Sequence, residues 1–380
     1  MSSPLEISVV VSTYQRPGHL KRCLQSLAAQ QGVDGKYEVI VVDDGSQDET
    51  AEMVARFIRS ATFPVKFATH PHEGFQLARC RNAGIRIATA PYILFTDGDC
   101  IFPSNHLRRH LDARRPGIAR AGDCIKLEQA ASERIDESAI RSGAFAKRVP
   151  LKQRLKLRRL HVKLLAYQLL HRDNRVKLTG WNMGVWREDL ERVNGFDERF
   201  RGWGCEDDDL ARRLRRSGVR VATALGYTHG YHLWHRVHST TPQQWSAGPN
   251  VAYFQRPAVL TRCLEGIRSR SLQHVSTRVT GGASHAELSR QLTQSLREST
   301  TGVEVEVLLW SDGAANFTSD RGVCQVLVAA PGVVLPAAVQ QGGHAVLRAE
   351  LNQGPTAVIQ GLHNLLCGIE TPTAPVRRAA

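Results

Sequence analysis

Aromatic residues are scarce in this chain, at 6% of 380 residues, and acids are outnumbered, with 36 Asp and Glu against 50 Lys and Arg for a formal charge of +14. No run of 18 apolar residues free of charge occurs, so no membrane span is expected. The amino-terminal stretch MSSPLEISVVVSTYQRPG is apolar over too short a distance and lacks a basic leader, so no signal peptide is expected either. The eight cysteines (23, 80, 100, 124, 205, 263, 324 and 367) include no CxxC pair. Reduced thiols in a cytoplasmic protein fit this scatter better than a disulfide framework. Neither GxGxxG nor GxxxxGK[ST] follows any strand pattern, which removes the main support for a dinucleotide fold or a phosphate-loop nucleotidase. No internal repeat is present.

The length suits two or three domains, and 42% hydrophobic content suffices for a substantial core. Positive charge is uneven: residues 141–175 hold eleven Lys or Arg against one acid, Asp173, whereas residues 301–380 hold four against six. A basic patch can meet nucleic acid, anionic lipid or a phosphorylated substrate. ISVVVSTY (7–14) reads as a strand buried on both faces, and the segment after Pro17 places Leu20, Leu24 and Leu27 on one helical face. Residues 37–42 repeat the scheme, followed by a helix from about Asp48 with Met53, Val54, Phe57 and Ile58 inward. VKFATHP, QLARCRNAGIRIA and YILFTDGDC continue the alternation, which predicts an α/β domain with a mainly parallel sheet. Residues 147–171 predict a basic helix after Pro150, with Leu151, Leu155, Leu157, Leu160, Leu164 and Leu165 mostly on one broad face. GWNMGVWRED and RVNGFDERFRGWG read as turn-rich, LARRLRRSG as a helix stopped at Gly218, and VRVATAL as a strand. HAELSRQLTQSLRES is helical, VEVEVLLW follows it, and the chain ends in a Pro/Ala/Arg tail.

In parallel sheets ligands bind beyond the carboxyl ends of strands, where Asp43, Asp44, Asp97 and Asp99 fall. Asp97 and Asp99, separated by Gly98, can face one hard cation such as Mg²⁺ or Mn²⁺, although such a turn can also be merely solvated. Asp43 or Asp44 can bond a ribose or a base edge, the competing reading being an Asx turn with a helix cap at Ser46 or Asp48. Arg79 and Arg81 offer one contact to a nucleotide or diphosphate, or else exposed helix charge. GWGCEDDDL (202–210) gathers Glu206, Asp207, Asp208 and Asp209 after Gly202, Trp203 and Gly204. These acids are either favourable charges at a helix start or carboxylates able to take a proton from a substrate.

Together, VVVSTYQRP, VIVVDDGSQDET, RNAGIRIA and YILFTDGDC resemble glycosyltransferase family 2, of the GT-A type. GWNMGVWREDLERVNGFDERFRGWGCEDDDLARRLRRSG is similar to the acceptor-side segment of β-1,4-galactosyltransferases and chondroitin-polymerase-type enzymes. The resemblance spans roughly residues 5–240. It implies a catalytic domain over 1–265, with a nucleotide-binding half (1–125) and an acceptor-side half (126–265), followed by an accessory region (266–380), read as a small α/β domain, an oligomerisation element or a second acceptor-binding piece. It also implies inverting transfer from a nucleotide-diphospho-sugar, UDP with galactose, N-acetylgalactosamine or glucose, to a saccharide or glycolipid. Asp43, Asp44 and the neighbourhood of Thr13 would hold the nucleoside. Asp97 would lie near ribose and metal, and Asp99 would ligate Mn²⁺ or Mg²⁺. THGYHLWH offers His229, His232 and His235 as a late metal ligand, with His232 favoured and His235 behind it. Asp207 would be the base and Glu206 would bind an acceptor hydroxyl. Trp203 would stack on a sugar, Gly202 and Gly204 would let the loop move, and Asp208 would complete the acceptor contacts.

A sugar nucleotidyltransferase shares the acids and the metal but leaves GWGCEDDDL without a role. A nucleic-acid-binding module would use residues 141–175, yet no nucleic-acid motif accompanies them and none is expected as partner. The same basic, leucine-bearing segment suggests peripheral contact with an anionic membrane, at the inner face of the cytoplasmic membrane.

Overall fold

The computed structural model describes residues 4–236, 241–311, 320, 322–340 and 344–369, so the Pro/Ala/Arg tail lies outside the described residues. The chain divides into two compact units, residues 1–251 and 252–380.

The first unit begins with β1 (Ile7–Thr13), α1 (Pro17–Ala28), β2 (Tyr37–Asp43), α2 (Thr50–Ser60), β3 (Val65–Thr69), α3 (Leu77–Ile87) and β4 (Tyr92–Asp97). Every residue of β1 and β2 is buried, as their unbroken apolar runs require. Glu38, the acid near the start of β2, is bonded by Ser8 Oγ at 2.6 Å and paired with Lys66 at 2.7 Å. The unit continues with β5 (Cys100–Ile101), α4 (His106–Ala113), β6 (Ile118–Ala121), β7 (Cys124–Lys126), α5 (Gln129–Glu133), α6 (Glu137–Arg141), α7 (Leu151–Leu169), β8 (Met183–Trp186), α8 (Arg187–Arg192), α9 (Glu206–Arg216), β9 (Arg220–Thr223) and β10 (Gly230–His232).

Seven strands form one sheet in the order β3-β2-β1-β4-β8-β6-β9. All neighbours are parallel except β8, which runs antiparallel to β4 and β6. This mixed, mainly parallel sheet is the expected α/β, GT-A type arrangement. A three-stranded sheet, β5-β10-β7, lies beside the end of β4. Register sets the site: Thr13 stands opposite Asp43, Ser12 opposite Asp97, and His232 opposite Cys100.

Three readings need correction. Ile58 is 38% exposed rather than inward, because α2 seats itself through Met53 and Val54. GWNMGVWRED is not all turn, since Met183–Trp186 forms the antiparallel strand. The leucines of α7 do not share one face: none of its 19 residues is buried, and they separate into a half-buried row and an exposed one. All eight cysteines are free and buried.

In the second unit a four-stranded parallel sheet runs in the order β11 (Thr277–Gly281), β12 (Val305–Leu309), β13 (Cys324–Ala329), β14 (Ala345–Arg348). Helices Ala286–Ser295 and Pro355–Cys367 supply Leu288, Leu292, Val358 and Leu362 to a core with Val305, Val307, Val326 and Val328. This unit is itself α/β.

Gly84 decides how closely α3 approaches β1: a Cβ there would stand 2.3 Å from Val10 Cγ1. Alanine would gain up to about 1 kcal/mol of helix propensity. Overpacking against a β-branched side chain in a buried strand costs about 1–3 kcal/mol. Gly84→Ala is therefore expected to destabilise the protein by about 1–2 kcal/mol, as a lower urea midpoint at unchanged slope. A higher midpoint would refute the close-approach account.

Candidate functional site

The carboxyl ends of β1, β2 and β4 bring Thr13, Asp43 and Asp97 to one edge of the sheet. Gly98 N–H bonds Ser12 O at 2.8 Å, and a Cβ on Gly98 would lie 3.1 Å from Thr13 Oγ1. The turn Asp97–Gly98–Asp99 is thus held against β1, and its two acids meet different partners.

Asp97 faces Arg81, whose Nη2 lies 3.6 Å from Asp97 Oδ1. Arg81 is 1% exposed, and its Nη1 also donates to Asp207 Oδ1 at 2.7 Å and to Glu206 Oε1 at 3.3 Å. Its guanidinium carbon lies 5.2 Å from the centre of the Phe196 ring. A Cβ at Gly180 would fall 1.5 Å from Arg81 Nη2, so glycine there is what lets the guanidinium pass. Gly180 N–H donates to the other Asp207 oxygen at 2.9 Å. Arg81 thus joins α3, the end of β4 and the start of α9.

The four acids of GWGCEDDDL occupy the first turn of α9, so both sequence readings describe the same residues. Their environments differ. Asp209 is fully buried, bonded by Arg213 Nε at 2.6 Å and Arg212 Nη2 at 2.7 Å, and serves the structure. Asp208 pairs with Lys177 at 3.4 Å. The Asp207 side chain is 22% exposed and that of Glu206 9%. Before the helix, Gly202, Gly204 and Cys205 have φ of 82°, 91° and 74°, the left-handed region that two glycines adopt freely. Asn250 Nδ2 bonds the carbonyls of Gly202 and Gly204 at 3.3 and 2.9 Å, and Gly202 N–H bonds Phe75 O at 2.8 Å. The loop is tied at both ends of Trp203, a residue that is 39% exposed.

Asp99 faces imidazoles. His235 Nε2 lies 3.1 Å from Asp99 Oδ2 and His232 Nε2 lies 3.5 Å from Oδ1, while Arg16 Nη1 bonds Oδ2 at 3.1 Å. One ligand atom each from Asp99, His232 and His235 fall within 4.8 Å of one another, a carboxylate-and-two-imidazole set that fits a divalent cation. The structure therefore groups both histidines that the sequence left as alternatives. His229 instead meets Tyr231 Oη at 3.2 Å. Asp97 belongs to the Arg81 group and is absent from this trio.

Burial pushes the Asp97 carboxyl up to about 7 against the opposing pull of Arg81, and the neighbouring charges of Asp99 and Asp207 push it the same way as burial. Burial also raises Asp99, but the His235 hydrogen bond and the charges of His232, His235 and Arg16 prevail and hold it at about 2. Burial and the neighbouring Asp207 push Glu206 up to about 7. Asp207 is raised by burial against the charge of Arg81 and the Gly180 hydrogen bond.

Of the other expected residues, Asp43 accepts from Ser46 N–H at 2.8 Å and Thr69 Oγ1 at 3.0 Å, an Asx-type turn. Asp48 accepts from Thr50 N–H at 3.0 Å at the start of α2. Arg79 lies at the surface, 3.3 Å from Glu73. Asp44 is buried, bonded by Gln76 N–H at 3.1 Å, and forms a second possible metal-donor group with His70 and Cys80. Sequence reasoning missed Gly180 and Arg16. The signal for Gly180 was present in TGWNMG, but its reason, the passage of a distant arginine, was not.

Residues 8–115 match the model of glycosyl transferase family 2, and residues 158–236 match that of the N-terminal domain of galactosyltransferase. The chain is 30% identical over 240 residues to validoxylamine A glucosyltransferase of Streptomyces hygroscopicus subsp. limoneus, covering 57% of this chain and 49% of that protein. It is 26% identical over 233 residues to chondroitin synthase of Escherichia coli, covering 58% and 34% respectively. The chain thus spans about half or less of the length of these curated relatives. Among solved structures, a mannosyltransferase from Pyrobaculum calidifontis in complex with GDP-Man and Mn²⁺ is similar at 21% identity, 58% of this chain, 55% of that one and a TM-score of 0.40. The first unit is GT-A-like and matches glycosyltransferase models in both of its halves.

A carboxyl raised on folding favours the folded state while protonated and opposes it once ionised. Glu206, at 4.5 in the ordinary state and about 7 here, therefore contributes stability below about pH 4.5 that is lost as pH rises through about 7. For the metal-free protein, Glu206→Gln should melt progressively higher than the parent as pH rises across this window. A melting difference that stays flat between pH 4.5 and 8 by scanning calorimetry would contradict the assigned environment, the window being that of the shift, with about one pH unit added.

Proposed function

We propose that the first unit is an inverting glycosyltransferase, moving a sugar from a nucleotide-diphospho-sugar to a hydroxyl of a saccharide or glycolipid, with Asp207 as general base. The observation that carries this reading is the placement of Asp207, partly exposed and bound to the same buried arginine that faces Asp97. A sugar hydroxyl is a weak nucleophile at neutral pH and needs a proton acceptor within hydrogen-bond reach. Asp209 is disqualified by full burial and its arginine pairs. Asp207 donates nothing when ionised. Its two oxygens offer about four acceptor positions, so bonds to Arg81 and Gly180 leave room for a substrate hydroxyl.

In this reading Glu206 orients an acceptor hydroxyl, Trp203 stacks on a sugar face, and Gly204 and Asp208 complete the acceptor side. Thr13, Asp43 and Asp44 receive the nucleoside, with Arg79 at the rim and Asp97 near the ribose. UDP is the favoured nucleotide, carrying a hexose or N-acetylhexosamine. Asp99, His232 and His235 would hold the cation, and two imidazole nitrogens favour Mn²⁺ over Mg²⁺. A divalent ion bound there would neutralise charge on the departing diphosphate. A sugar nucleotidyltransferase would use the same metal group but has no need of a base at the start of α9.

Asp207→Asn is expected to lower kcat by roughly 10²- to 10⁴-fold. Donor affinity, measured by calorimetry, should change little. Turnover near that of the parent would remove Asp207 as the base and shift the role to Glu206 or Asp208. Asp99→Ala should abolish Mn²⁺-dependent UDP binding. Undiminished binding in that variant would dismiss the Asp99 group as the metal site.

A further inference from the structure

Helix α7 is the largest element that the proposed chemistry leaves unused. Its sequence, LKQRLKLRRLHVKLLAYQL, has six Lys or Arg and no acid. Leu157, Leu160 and Leu164 form its inner, half-buried row. On the outer face Leu151, Leu155, Val162, Leu165 and Leu169 are 70, 43, 64, 42 and 80% exposed. Their spacings of four, seven, three and four residues keep them in one row along the helix. Lys152, Arg154, Lys156, Arg158, Arg159 and Lys163 are all exposed around that row. Behind the helix lies a cavity of about 420 Å³ whose lining includes Lys147, Arg154, Arg158, His161 and His229, with no acid among the described residues. No helix among the described residues is long and apolar enough to cross a membrane.

We infer that α7 is an interfacial contact for an anionic lipid bilayer, its outer leucine row entering the acyl boundary while the surrounding cations engage lipid phosphates. Two facts select this occupant. A nucleic acid would satisfy the cations but leave five apolar side chains facing a polyanion. A second copy of this chain meeting α7 to α7 would bring two all-cationic helices together. A bilayer with acidic headgroups matches both the charge and the apolar row. The single-signed cavity behind the helix offers the same phosphates a concave seat. The purpose of the contact rests on the proposed glycolipid acceptor, since it would bring the enzyme to a membrane-held substrate. The contact itself is tested apart from that reading.

The test is vesicle flotation of the full chain. Vesicles of phosphatidylcholine mixed with phosphatidylglycerol should carry the protein, and phosphatidylcholine alone should not. At about fivefold per surface cation, Arg158→Gln with Arg159→Gln should weaken partitioning by roughly 30-fold. Leu155→Gln with Val162→Gln and Leu165→Gln should also lose flotation at an unchanged melting temperature, because these side chains are exposed. Equal flotation on neutral and acidic vesicles would overturn the inference. So would full flotation of the triple-glutamine variant, or tighter binding of duplex RNA that ignores the leucine changes. Transfer to a soluble saccharide without vesicles is measured in parallel. If that transfer is absent from every variant and from the parent, the transferase reading falls while the flotation result stands on its own.

Discussion

A guanidinium that is 1% exposed must be paired, because leaving it uncompensated in the interior costs several kcal/mol. Arg81 meets that demand with Asp97, Glu206 and Asp207, carboxylates from a strand end and from a helix start more than a hundred residues further along the chain. The site depends on this one cation. It holds the first turn of α9 against the end of β4, and it partly offsets the repulsion among three acids. Gly180 makes the arrangement possible by having no side chain where the guanidinium passes, and Phe196 supplies an aromatic face beside it.

The same constraint separates two acids that are nearly adjacent in sequence. Asp97 points toward other carboxylates and is pushed up to about 7 by burial. Asp99, two residues on, points toward His232, His235 and Arg16, which hold it at about 2. One carboxyl is thus placed to share a proton near neutrality, and the other remains an anion suited to a cation. Divergent environments for paired carboxyls are the usual basis of separate acid–base and charge-binding roles. The antiparallel pairing of β10 with β5 creates this difference, because it sets His232 opposite Cys100.

The alternation of strands and helices in the first hundred residues was legible, since buried parallel strands read as unbroken apolar runs and their covering helices as periodic ones. The acids at strand ends were legible for the same reason. Less so were the short antiparallel strand Met183–Trp186, which glycine-rich surroundings disguise, and the outward turn of Ile58, which packing decides. The leucines of α7 read as one broad face by count alone. Their division into a half-buried row and a solvent-facing row depends on how little of the helix the sheet covers.

By itself the sequence determined the α/β class, the places where carboxylates would emerge from the sheet, and the cationic character of α7, because each follows from local periodicity and composition. It also determined that four acids would open α9. Only the tertiary structure decided which of them does what: Asp209 is consumed by Arg212 and Arg213, Asp208 leans on Lys177, and Asp207 with Glu206 meets Arg81. Likewise it decided that Arg81, read from sequence as a nucleotide contact or an exposed charge, is a buried one. The reason is that charge pairing is set by distance in space and by exclusion of water, and neither quantity is local in the chain.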